Sequence, residues 1–142
     1  MSNMLVPTKL YKEITHCLCK EGCISEVPAL KWTTGKNWYG CLRGNRIITT
    51  NKYTGYKTVK WNYIGIYINK AYCPCTQKQA KENYLSLINL VDTICHELAH
   101  MTHHFEGGKH LELTEEYMNT FKHYLASQGK TIYSVIADCK EA

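Results

Sequence analysis

The sequence predicts an α+β fold: an N-terminal helix, a small antiparallel or mixed sheet, a long central helix and a C-terminal helix. Three observations carry this. Apolar residues recur at helical spacing between Leu10 and Cys19, and again after residue 77. Between those stretches, residues 29–69 are rich in β-branched and aromatic side chains around a Thr54-Gly55 turn. The chain has 142 residues, 44% of them apolar, with no internal repeat and no low-complexity stretch. One domain spanning residues 1–142 is therefore expected.

Taken in order, Leu10 to Cys19 reads as the first helix. Ala29 to Trp32, Trp38 to Arg43 and Arg46 to Thr50 read as short strands. Asn51 to Tyr56 is a turn, and Lys57 to Asn69 a long strand or a bent pair. Thr76 and Gln79 have the spacing of a capping box, which predicts a helix start near residue 77. No Gly or Pro intervenes before His104, and Leu87, Val91, Ile94, Leu98 and Met101 make an apolar face. Unbroken, such a helix is ~42 Å long. A further helix is expected from Thr114 to Ser127. Thr131 to Ala137 is apolar and partly β-branched, and its periodicity selects neither strand nor helix.

The long helix has a second, polar stripe made of Asn89, Thr93, His96 and His100. It contains His96-Glu97-Leu98-Ala99-His100, an H-E-x-x-H sequence. Residues four apart on a helix share a face, so both imidazoles can reach a single tetrahedral Zn²⁺. Glu97 is then turned towards a zinc-bound water, whose pKa the metal lowers to about 7, and serves as its base. Asp92, one turn before His96, is either a hydrogen-bond partner of that imidazole or a solvated acid. Hydrolytic zinc sites usually take three protein ligands. Gly107-Gly108 ends the helix and lets the chain turn, so that His110 begins the next element back over the metal. His110 is the preferred third ligand, with Glu106, Glu112, Glu115 and Glu116 as carboxylate alternatives. His103 and His104 are expected in solvent or in support of the ligands. One Zn²⁺ per chain is the expected cofactor.

This pattern, with His110 and a helix carrying Tyr117 and Phe121, resembles the SprT-like and WLM zinc metallopeptidases, which include Spartan-type and YgjP-like proteins. The resemblance covers roughly Tyr63 to Phe121. It implies a minimal zincin-like core and endopeptidase activity, with protein or peptide substrates that include DNA-associated proteins. It also implies a substrate-lining strand at Tyr63-Ile64-Gly65-Ile66-Tyr67, where an extended peptide adds to the strand edge through backbone hydrogen bonds. Tyr117 is either a donor to the reaction's oxyanion or a core tyrosine. Thr114 stands where the family usually places an aromatic. A second likeness is set aside: Glu21-Gly22-Cys23-Ile24-Ser25 is close to an element of peptide deformylases. Only 22 residues precede Cys23, however, and Ala99 replaces the aspartate of that pattern.

Charge is segregated along the chain. Between Val27 and Lys81 there are ten Lys or Arg and no Asp or Glu, interleaved with Trp32, Trp38, Tyr53, Tyr56, Trp61 and other aromatics. That combination suits single-stranded DNA, and equally a sheet with aromatics inside and lysines in water. A nucleic-acid- or protein-binding module with a structural or idle zinc is thus the alternative to a peptidase. The eight cysteines include Cys17-x-Cys19-x₃-Cys23 and Cys73-Pro74-Cys75, which lack the C-x₂-C spacing of zinc knuckles. Reduced thiols are expected, with a second structural zinc joining the two clusters as the alternative. No apolar run approaches the ~20 residues of a membrane span, and the N-terminus lacks a signal-peptide core. An intracellular, cytoplasmic protein is expected, or one of host cytoplasm or nucleus if the chain is viral.

Overall fold

The computed structural model describes residues 4–104 and 107–142, Arg46 by its backbone alone. The fold is α+β, with a three-stranded mixed sheet set among helices. Helix α1 spans Val6–Lys20, beginning earlier than its periodicity suggested because Pro7 occupies the first turn, where a missing N–H costs nothing. It buries Val6, Leu10, Ile14 and Leu18 on one face. Strands β1 (Leu30–Thr33), β2 (Gly40–Thr50) and β3 (Lys57–Asn69) follow. The two strands expected at 38–50 are one strand, interrupted only by a register shift between Arg43 and Gly44. Asn51 shapes the intervening turn, its Oδ1 accepting from the amides of Tyr53 and Thr54.

The sheet order is β1-β3-β2, with β1 parallel and β2 antiparallel to β3. This corrects the expectation of an open edge within residues 63–67 at its Ile66-Tyr67 end. Ile66 and Tyr67 are paired on both sides, with Leu30 and Lys31 of β1 and with Leu42 and Cys41 of β2. Their backbone groups are taken up by the sheet, so a peptide cannot add there. Gly65 serves this close pairing, since a Cβ on it would lie 2.7 Å from the Ala29 carbonyl oxygen. The strand that faces outward beside the helices is β2.

The expected helix from 77 to 104 is two helices. After a 3₁₀ turn at Lys70–Tyr72, α2 covers only Gln77–Glu82 and α3 runs Tyr84–Ala99. The break is at Asn83, whose extended backbone and Oδ1, accepting from Ser86 N–H at 3.1 Å, cap α3 afresh. Asparagine offers the backbone a local partner that competes with helix continuation. Helix α4 (Gly108–Ser127) starts six residues before Thr114, which brings His110 into its first turn. Residues 131–137 resolve as a Thr131-capped helical turn, α5 (Ile132–Val135).

The buried cluster joins α1, α3, α4 and β3 through Ile14, Ile66, Ile68, Leu87, Ile94, Leu98 and Phe121. Each such side chain contributes about 1.5–3 kcal/mol by leaving water. The C-terminus is tied in by Gln77, whose Nε2 donates to the carbonyls of Ile136 (2.9 Å), Ala137 and Cys139 (3.3 Å). Over residues 57–65 of β3 the sheet is only the β2–β3 ribbon, and the described side chains at 47–60 are exposed on both faces. No described helix is long and apolar enough to cross a membrane.

A candidate three-histidine metal centre

His96 and His100 follow one another on α3 at one-turn spacing, and α4 doubles back to bring His110 against them. One nitrogen from each ring lies within 4.8 Å of the others, and these three form the one group of its kind among the described residues. That spacing fits a single ion: donors ~2.0–2.1 Å from a common zinc sit roughly 3–4 Å apart, which small ring rotations reach. The His100 and His110 rings stack with centroids 3.8 Å apart, and His96 stands edge-on to both. The group can hold a metal ion.

Backbone carbonyls orient two of the rings. His100 Nδ1 lies 2.9 Å from the His103 carbonyl oxygen, and His110 Nε2 lies 2.9 Å from that of His96. A carbonyl only accepts, so each of these nitrogens carries the proton. The lone pair is then on Nε2 of His100 and on Nδ1 of His110. His110 is 2% exposed, and Thr114, buried below it, donates its hydroxyl to the His110 carbonyl at 2.9 Å. The residue in the place of an expected aromatic thus helps to seat the third histidine.

Glu97 is 6% exposed beside this group. Its Oε1 accepts from the Leu42 amide at 3.1 Å, and its Oε2 lies 4.0 Å from His96 Nε2. Tyr39 O accepts from Asn69 N–H, and the antiparallel alternation then turns the Leu42 amide away from β3. The carboxylate is therefore held by the outer edge of β2. Trp38, Tyr39, Gly40 and Cys41 line one wall of the resulting cleft of about 550 Å³, and Asp92, Thr93, His96, Glu97 and His100 the other. Asp92 is exposed at its mouth. Burial, reinforced by the Glu97 carboxylate, pushes the Cys41 thiol up.

The wall formed by residues 38–41 was not read from the sequence. Its signal was Gly40 in a strand, which marks a close backbone approach. A Cβ there would stand 2.7 Å from Thr93 Cγ2 and 3.2 Å from the Tyr67 carbonyl oxygen. Buried Asn69 holds the approach to this wall, its Nδ2 donating to the carbonyls of Lys36 and Trp38 at 3.0 Å. Gly40→Ala is expected to cost about 1–3 kcal/mol, the usual range for overpacking. Urea unfolding checks this, and unchanged stability would mean that β2 and α3 do not approach as closely as described.

Other expected residues lie elsewhere. Tyr117 is 2% exposed and donates its hydroxyl to the Cys23 carbonyl at 3.3 Å, which makes it a core residue away from the cleft. Tyr63 donates to the Met101 carbonyl at 2.8 Å and so pins the turn after α3. Ile66 is in the core, Ile64 is exposed and Tyr67 lies under the Arg43 guanidinium. His104 stacks on Trp61 at 4.3 Å, and burial lowers its pKa. Glu112, Glu115 and Glu116 are exposed, and Glu106 lies outside the described residues. Cys23 packs against Thr120, away from the histidines, and no cysteine joins a three-donor group among the described residues. No family model, curated protein or solved structure matches the chain.

Proposed function

We propose that the chain is a zinc-dependent endopeptidase of the SprT-like and WLM kind, acting on extended protein segments. The observation that carries this is the buried Glu97 carboxylate in the cleft lined by His96 and His100, the two histidines on which buried His110 converges. An ion that only braces a fold needs no base beside it. His96, His100 and His110 would hold the zinc, which when bound would supply Lewis acidity and make water a better nucleophile near neutral pH. Glu97, fixed by the Leu42 amide, takes the proton from the attacking water and passes it to the leaving nitrogen. The outer edge of β2 is where an extended substrate adds, in place of the 63–67 segment. Recognition through backbone groups gives little side-chain selectivity.

The second reading, a nucleic-acid-binding module with an idle metal, is favoured by the β2–β3 ribbon. Residues 43–60 hold five of the seventeen basic residues and none of the twelve acidic ones, so the net +5 of the chain resides there. Lys52, Lys57 and Lys60 are exposed with Tyr53 and Tyr56, a pairing that suits single-stranded DNA. Joined to the first reading, the ribbon is a tether that brings the peptidase to DNA-associated proteins. All eight cysteines are free thiols, which suits a reducing, intracellular setting.

Zinc-loaded protein is expected to cleave an unfolded protein substrate, to stop on chelation and to recover with added Zn²⁺. Replacing Lys52, Lys57 and Lys60 together by Glu should abolish single-stranded DNA binding at low salt and leave zinc content and basal hydrolysis unchanged. Binding without hydrolysis would establish the idle-site reading. Hydrolysis without DNA binding would leave a general peptidase.

A further inference from the structure

Cys73-Pro74-Cys75 is a motif to which the histidine centre gives no role. Its surroundings hold it at both ends: Asn69 caps the 3₁₀ turn before it, and Thr76 caps α2 after it. Gln79 Oε1 accepts from the Cys75 amide at 2.8 Å, and the Cys75 carbonyl accepts from Val6 N–H at 2.8 Å. The two sulfurs are thereby brought to 3.9 Å, within reach of a thiol–thiol hydrogen bond. Both residues are half-buried, and Cys73 lines an open pocket of about 400 Å³ with Tyr39, Tyr72 and Gln79. A small molecule can therefore approach Cys73 through the pocket, and Cys75, itself only half-buried, is 3.9 Å from it. Cys17, Cys95 and Cys139, by contrast, are buried in the core, and burial pushes their thiols up, Cys17 to about 11.

We propose that Cys73 and Cys75 form a redox-active dithiol that reduces low-molecular-weight disulfides, with oxidised glutathione as the representative substrate. The Cys75 thiolate attacks one sulfur of the disulfide, whose S–S bond breaks, and the first small thiol leaves. Cys73, giving its proton to solvent, then attacks Cys75 Sγ. That step closes the Cys73–Cys75 bond and expels the second small thiol, which takes up a proton. Two electrons pass from the protein dithiol to the small disulfide, and one S–S bond is exchanged for another. The roles follow from the environment. The hydrogen bond from Cys73, against the opposing effect of burial and with help from the Lys70 ammonium, brings the Cys75 thiol down to about 7. The same hydrogen bond and burial push Cys73 up, which keeps it protonated until its turn.

The test uses the full zinc-loaded chain, reduced and kept free of air, with stoichiometric oxidised glutathione at pH 7. The reaction is quenched by alkylation and mapped by peptide mass spectrometry. A Cys73–Cys75 disulfide and two released glutathione thiols are expected. Cys73→Ser should stop at a glutathione adduct on Cys75, and the wild-type rate should rise between pH 6 and 8 as Cys75 ionises. Weighing thiolate fraction against the lower nucleophilicity of a more acidic thiol, Cys75 should react about fivefold faster than an ordinary exposed cysteine, for which Cys19 serves as the internal standard. His96→Ala, which removes a metal ligand, should leave the exchange unchanged, so this result stands or falls apart from peptidase activity. Adduct formation first at Cys19, no Cys73–Cys75 link in the wild type, or no adduct on Cys75 in Cys73→Ser would overturn the proposal.

Discussion

Glu97→Gln is expected to keep the fold and the metal and to lower peptide hydrolysis by about 10²–10⁴-fold, equivalent to about 3–5 kcal/mol of barrier. The change is isosteric, and the amide oxygen can still accept from the Leu42 N–H that holds Glu97 Oε1. What it loses is the ability to take a proton. Because Glu97 is buried in the cleft wall, bulk solvent cannot easily substitute for it. Rates should be compared at equal zinc occupancy, so that a loss of metal is not mistaken for a loss of base. Hydrolysis within a few-fold of wild type at full occupancy would sink the endopeptidase reading, whatever the ribbon binds.

Removal of His96 or His100 by alanine should eliminate stoichiometric zinc, and His110→Ala should weaken it. At a free zinc concentration 100-fold above Kd, binding stabilises the folded chain by about 2.7 kcal/mol. For a chain of this size that corresponds to a rise in Tm on the order of 10 °C. Wild type should show this rise when zinc is added, and His96→Ala and His100→Ala should not. His110→Ala also opens space at a position 2% exposed, so its apo Tm should fall as well. Full zinc retention in His110→Ala would move the third ligand to another residue. Zinc affinity should drop on acidification, because protons compete for the same imidazole lone pairs.

The pair His96 and His100, and Glu97 between them, were legible in the sequence because helical spacing alone puts the two histidines on one face. Nothing distant is needed for that. The ribbon was legible for a similar reason: its basic residues and its turn are close together in the chain. The length of the metal helix was misread because Asn83 carries a capping signal that apolar periodicity does not register; its side chain competes with the backbone and restarts the helix. The substrate edge was misplaced because period-2 alternation says which face a strand residue takes and not which strand lies outermost. The order β1-β3-β2 depends on Leu30 pairing with Ile66 and Leu42 with the same residue from the other side.

The sequence by itself determined the α+β class, the helix that carries two candidate ligands and a candidate base, and the concentration of positive charge between Val27 and Lys81. Each depends on residues within a few turns or one hairpin of one another. Only the tertiary structure decided that His110 closes the donor set, that β2 and Gly40 form the cleft wall, and that Tyr117 belongs to the core. Those depend on where α4 folds back and how the sheet packs on α3. Such contacts join residues far apart in the chain, and burial of the shared core selects them without leaving a local pattern.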